Sequence, residues 1–210
     1  MKKLLTLLIV TLGIAGSALA QKRTTMPTIY REYRPAVITF TDGHKSKNAF
    51  TNVFLKNASL LFLKGSQSME ANMDNIAAVD FDDRSFVAID KKLAYLVDSV
   101  GSNALYCIEL FDKDTYERNL KNNVNISSLD IGDQISMSMV DLNGEEDYKL
   151  PVFRHYYYLY NGKFVKVHER DIAHSLSKEK RTMMKRIMAL PDFSWVEVSS
   201  LMQLLKAISD

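Results

Sequence analysis

Residues 153–168 read Phe-Arg-His-Tyr-Tyr-Tyr-Leu-Tyr-Asn-Gly-Lys-Phe-Val-Lys-Val-His, and this stretch decides the fold class. Asn161-Gly162 is a two-residue hairpin signal, because a type I′ turn needs positive φ at both central positions, which Asn and Gly tolerate. The spacing pairs Leu159 with Phe164, Tyr158 with Val165, Tyr157 with Lys166, Tyr156 with Val167 and His155 with His168. Successive strand side chains point to opposite faces. Tyr156, Tyr158, Val165 and Val167 therefore share a face expected to be core, and Tyr157, Lys166, His155 and His168 share a wetter one.

Working upstream, strand-length apolar runs alternate with turn residues, as in an antiparallel sheet. Residues 36–41 lead into Asp42-Gly43, a second hairpin signal. Residues 51–56 and 59–64 flank Asn57-Ala58, and residues 76–81 and 85–89 are joined by Asp82-Asp83-Arg84. Residues 93–100 suit either a strand or a short helix, and 105–111 read as a strand. Asn119, Asn122, Asn123 and Asn125 mark a loop between two halves of the sheet.

Working downstream, the period becomes helical. Met183, Met184, Ile187 and Met188 recur every three or four residues until Pro191 stops the helix. Val198, Leu201, Leu204, Leu205 and Ile208 make a second apolar stripe, with Ser194 ahead of it as a cap. The expected class is α+β: an antiparallel β-rich body followed by a short C-terminal helical tail packed on it. The expected organisation is a signal peptide at 1–20, a polar N-terminal tail at 21–35, a first β-rich half at 36–118, a second with the hairpin at 119–168, and the helical tail at 169–210.

The signal-peptide expectation comes from Lys2 and Lys3, the apolar run Leu4 to Ile14, and Ala18-Leu19-Ala20, which places cleavage near Gln21. That run is short of the roughly 20 residues a membrane helix needs, so no membrane span is expected in the mature chain, which belongs in the periplasm or beyond. Removing Lys2 and Lys3 from the 27 basic residues leaves 25 against 25 acidic ones, a neutral protein with no global attraction to nucleic acid. The single Cys107 sits in an apolar strand and reads as a small buried hydrophobe.

The order of export signal, β-rich body, Tyr-rich strand, Asn161-Gly162-Lys163 hairpin and basic helical tail resembles a class of exported Gram-negative proteins of unknown function. The resemblance covers most of the mature chain. That class has no assigned catalytic residues, so it implies none here.

Several short strings carry possible chemistry, each beside a plainer alternative. Asp112-Lys113-Asp114-Thr115 follows a strand as the nucleophile loop of haloacid-dehalogenase-like phosphatases does, or is simply a solvated turn. Asp80, Asp82 and Asp83 offer oxygens to a hard cation, or hydrogen bonds to their own turn. Lys178, Lys180, Arg181, Lys185 and Arg186 make a basic helix face, suited to a membrane surface or a partner, or to ordinary packing on the sheet. Tyr156, Tyr158 and Tyr160 can stack on sugar rings or fill a core. Asp98-Ser99-Val100 fits an O-glycosylation acceptor, with Ser99 as the modified residue. His155 and His168, as neighbours across the hairpin, could offer two nitrogens to Zn²⁺, with a third ligand from His174, His44 or a remote carboxylate. No cofactor is expected. The function this supports is a non-catalytic envelope protein that binds an unknown protein or envelope partner; the alternative is a metal-assisted hydrolase assembled from distant residues.

Overall fold

The computed structural model describes residues 22–123 and 150–209; the expected signal peptide, its cleavage point and Asn125 lie outside them. Ten strands form one antiparallel sheet: β1 (Arg34–Phe40), β2 (Lys45–Phe54), β3 (Ser59–Lys64), β4 (Gln67–Glu70), β5 (Ile76–Asp80), β6 (Ser85–Ile89), β7 (Lys92–Val100), β8 (Asn103–Phe111), β9 (Val152–Tyr160) and β10 (Lys163–Lys166). The helices are α1 (Lys113–Asn123), α2 (Glu169–Ser175), α3 (Lys178–Met188) and α4 (Val198–Ser209). The strand order is β10-β9-β8-β7-β6-β5-β1-β2-β3-β4, two meanders that meet where β1 pairs with β5.

The sheet curls because its two meanders touch again. β7 and β8 pair from Val100–Asn103 as far as Tyr95–Cys107. Beyond that point the β2–β3 turn takes over: Leu93 N–H donates to Ala58 O at 2.7 Å, and Phe111 N–H donates to Leu55 O at 2.8 Å. The curl encloses a first core that includes Ala36, Ile38, Val53, Leu60, Val79, Phe86 and Leu93.

The second core lies between β8–β9 and the helices. Leu105, Cys107, Tyr156, Tyr158 and Tyr160 meet Ile172 of α2, Met184 of α3, and Leu201, Leu204, Leu205 and Ile208 of α4. The tyrosine hydroxyls have partners inside, as buried polar groups require: Tyr158 donates to Leu201 O at 2.6 Å and Tyr160 to Ile208 O at 3.1 Å. The α+β body with its packed helical tail is therefore as the sequence implies. Asn161 and Gly162 have φ of +49° and +75°, the type I′ turn, and the pairs Leu159–Phe164, Tyr158–Val165 and Tyr157–Lys166 form in the expected register.

Three expectations need correction. The stretch before β1 is packed, with Tyr30 and Tyr33 buried, because Ile29 N–H donates to Val53 O and Leu55 N–H to Pro27 O, giving its backbone partners along β2. The Asn-rich joint begins as a helix: residues 113–123 form α1, capped by Asp112, whose carboxylate accepts from Thr115 N–H at 3.0 Å and Thr115 Oγ1–H at 2.7 Å. The Asp42-Gly43 turn is a bulged type I turn, with positive φ at Gly43 alone and bonds Gly43 N–H to Phe40 O and Phe40 N–H to His44 O. Of the two readings open for residues 93–100, the strand is the one formed, as β7.

Candidate functional site

All of α2–α4 pack on one face of β8 and β9, and among the described residues no helix covers the opposite face. Alternation places Leu96 of β7, Tyr106 and Leu110 of β8, Phe153, Tyr157 and Leu159 of β9, and Phe164 of β10 on that uncovered face. Its floor is closed where Ala58 of the β2–β3 turn is buried with Ile89, Ala94 and Ile108. Around that floor Leu96 is 45 % exposed, Phe153 52 % and Phe164 41 %, large apolar side chains that a finished core would have covered. Phe164 meets Tyr106 edge to face, ring centroids 5.5 Å apart, across the intervening strand β9.

The charges on this face are mainly basic. His155 pairs with Ile108 and shares the face with Lys92 and Lys166. Partial desolvation, then Lys166 and Lys92, hold its imidazole pKa below the ordinary value, so the ring is neutral near pH 7. Asp90 stands on the same side, close enough to act electrostatically on the Tyr157 hydroxyl.

The expected His155–His168 pairing reaches the end of the hairpin ladder. Val167 N–H still donates to Tyr156 O at 2.9 Å, but His168 N–H turns back to Lys166 O and the residue becomes the N-cap position of α2. Its Nδ1 lies 4.0 Å from Asp171. His174 belongs to the last turn of α2, and His44 stacks on Phe40 in the β1–β2 turn. Among the described residues no group of three or more His, Cys, Asp or Glu side chains stands where it could hold a metal ion.

The remaining strings resolve locally. Asp112 caps α1, and the Thr115 bonds hold its carboxyl below the usual range. Asp83 accepts from the Tyr30 hydroxyl at 2.7 Å and from Arg34 at 3.3 Å, with Asp82 3.9 Å from the same guanidinium. The basic helix α3 buries Met184, and Lys180 Nζ donates to Ile208 O near the end of α4. Ser99 is exposed near the end of β7, its N–H accepted by Asp98. Burial pushes the Cys107 thiol up to about 11, which leaves it protonated and unreactive.

A second feature escaped the sequence because its residues come from five separate segments. Tyr30, Phe81, Phe86 and Tyr95 form a continuous aromatic row, with centroid separations of 4.9, 5.7 and 6.1 Å. Arginines stack on both ends: Arg34 lies 4.2 Å over Tyr30 and Arg84 4.4 Å over Tyr95. Glu109 accepts from the Tyr95 hydroxyl at 3.3 Å and from Arg154 Nε–H at 3.0 Å, which ties the row to β9. Compared with known proteins, the chain matches no protein-family model, no curated protein and no solved structure.

Proposed function

We propose that the chain is an exported, non-catalytic envelope protein that docks an acidic, apolar segment of another protein on the helix-free face of β7–β10. The observation that carries this reading is the exposure of Leu96, Phe153 and Phe164 beside a buried floor, on the face opposite the helices. Apolar surface gathered in this way is stabilised by removal from water, and centrally placed aromatic side chains are the usual anchors of protein interfaces. Lys92 and Lys166 against the single Asp90 favour an acidic partner. Export rests on Lys2, Lys3 and the apolar run to Ala20. Among the described residues no helix is long and apolar enough to cross a membrane.

A photo-reactive amino acid placed at Phe164, in cells that make the protein natively, tests this, with Met183 on α3 as an equally exposed control. The expected product is an adduct from position 164 alone, to one protein, through a peptide rich in Asp or Glu and apolar residues. Adducts to lipid, to a second copy, to the chain itself, or equally from both positions contradict it.

A further inference from the structure

We infer that the seam between the two cores binds an anionic group, carboxylate or phosphate, on the guanidinium of Arg84. This site is distinct from the docking face, since it follows the aromatic row on the side of the sheet that also meets the helices.

The argument starts from charge accounting around Tyr95. The nearby carboxylates are committed: Asp83 to Tyr30 and Arg34, and Glu109 to Tyr95 and Arg154. Among the described residues no carboxylate lies within 4.0 Å of Arg84, although that residue is half-buried. A cation partly withdrawn from water without a counter-charge is unfavourable, and an added anion relieves that. Arg84 is also pre-arranged. Its guanidinium carbon sits 4.4 Å over the Tyr95 ring, which restricts where the group can go, and the rigid N–H fork matches a carboxylate or phosphate edge with two parallel bonds.

The supporting field comes from its neighbours. Arg154 uses its Nε–H on Glu109, whose side chain is only 12 % exposed against 54 % for Arg154, so the buried acid anchors a cation that reaches outward. Arg34 and Arg84 act with Asp83 on the Tyr30 hydroxyl, and Arg84 and Arg154 act with Glu109 on the Cys107 thiol, so each carboxylate near Arg84 already has a second guanidinium to serve. The anion can be free in solution or carried on a larger envelope molecule, and the chemistry at Arg84 is the same.

The test follows the Arg84 Nε–H resonance by NMR during titration with inorganic phosphate, with glucuronate, and with vesicles containing an anionic phospholipid. Saturable movement of that resonance is expected with at least one probe, and which probe saturates identifies the source as free phosphate, a sugar carboxylate or a lipid headgroup. In the Arg84 variants, which lack that resonance, binding is read at the backbone N–H of Tyr95, over whose ring Arg84 lies: Arg84→Gln should abolish saturable movement there, and Arg84→Lys, which keeps the charge but not the fork, should weaken it by about tenfold. Arg118→Gln, on α1, should leave it unchanged. Failure of all three probes to saturate the wild-type resonance, or equal binding by Arg84→Gln, overturns the proposal.

Discussion

Asn52 of β2 and Tyr30 of the N-terminal segment are locked in a closed pair of hydrogen bonds: Tyr30 N–H donates to Asn52 Oδ1 at 3.2 Å, and Asn52 Nδ2 donates to Tyr30 O at 2.8 Å. Asn52 is fully buried, and its amide also serves Glu32 O and Val53 N–H. Both donors and both acceptor sites are therefore used. This single side chain holds the segment whose Tyr30 begins the aromatic row.

Asn52→Ala takes the amide bond from Tyr30 N–H, Glu32 O and Val53 N–H, two of them in the N-terminal segment, while Tyr30 O keeps the Thr28 hydroxyl at 2.7 Å. Its expected effect is a loss of about 2–3 kcal/mol in denaturant unfolding. A loss below about 0.5 kcal/mol would show that water replaces the amide and that the segment is held by its tyrosines alone.

Asp90 and Lys91 form the β6–β7 turn with φ of +48° and +63°, a type I′ geometry with no glycine in it. Lys91→Gly relieves the left-handed strain, and the exposed contact with Asp74 that it removes contributes little. The expected result is a melting temperature raised by roughly 2–4 °C. A lower melting temperature would assign the ion pair the larger share.

Deletion of residues 178–210 uncovers Leu105, Tyr156 and Tyr158, which now pack on α3 and α4. The shortened chain should lose cooperative melting at the parent temperature, because the apolar area returned to water is worth roughly 25 cal/mol per Å². Unchanged melting would make the helices an independent module.

His155 should titrate below the ordinary histidine value of about 6.5 in an NMR pH series, since desolvation, Lys166 and Lys92 all disfavour its charged form. With the folded pKa below the unfolded value of about 6.5, its contribution to stability is complete above that pH and lost as pH falls through the folded value. Lys166→Glu should move the titration upward. A His155 midpoint at or above about 6.5, unchanged by Lys166→Glu, would place it outside the basic cluster.

Much of the fold was legible because local signals and tertiary structure agree in the hairpin and the tail. Asn161-Gly162 set the register, and the stripe from Val198 to Ile208 did find the tyrosine face. The N-terminal segment was not legible: it carries no period, and its order comes from Asn52, a polar residue that alternation alone does not mark as a tertiary staple. The Asn-rich helix α1 was hidden by its low intrinsic propensity, although the Asp112 cap with Thr115 three residues on was a usable signal. The uncovered face was half visible, since alternation sorted Tyr157 and Lys166 from the core but named them wet, without showing that Phe153, Phe164 and Leu96 gather beside them. The Arg84 seam needs β6, β7, β8 and β9 brought side by side, and no spacing in the chain encodes that.

The docking reading is tested most directly by charge reversal at the face itself. Photo-cross-linking from position 164 is compared between the wild-type background and Lys92→Glu/Lys166→Glu, with equal melting temperatures confirming that both are folded. The expected result is a strong adduct to an acidic segment of another protein in the first and at least a severalfold loss in the second. An adduct of undiminished yield after charge reversal, or none from position 164 in either background, would contradict an acidic partner on the β7–β10 face.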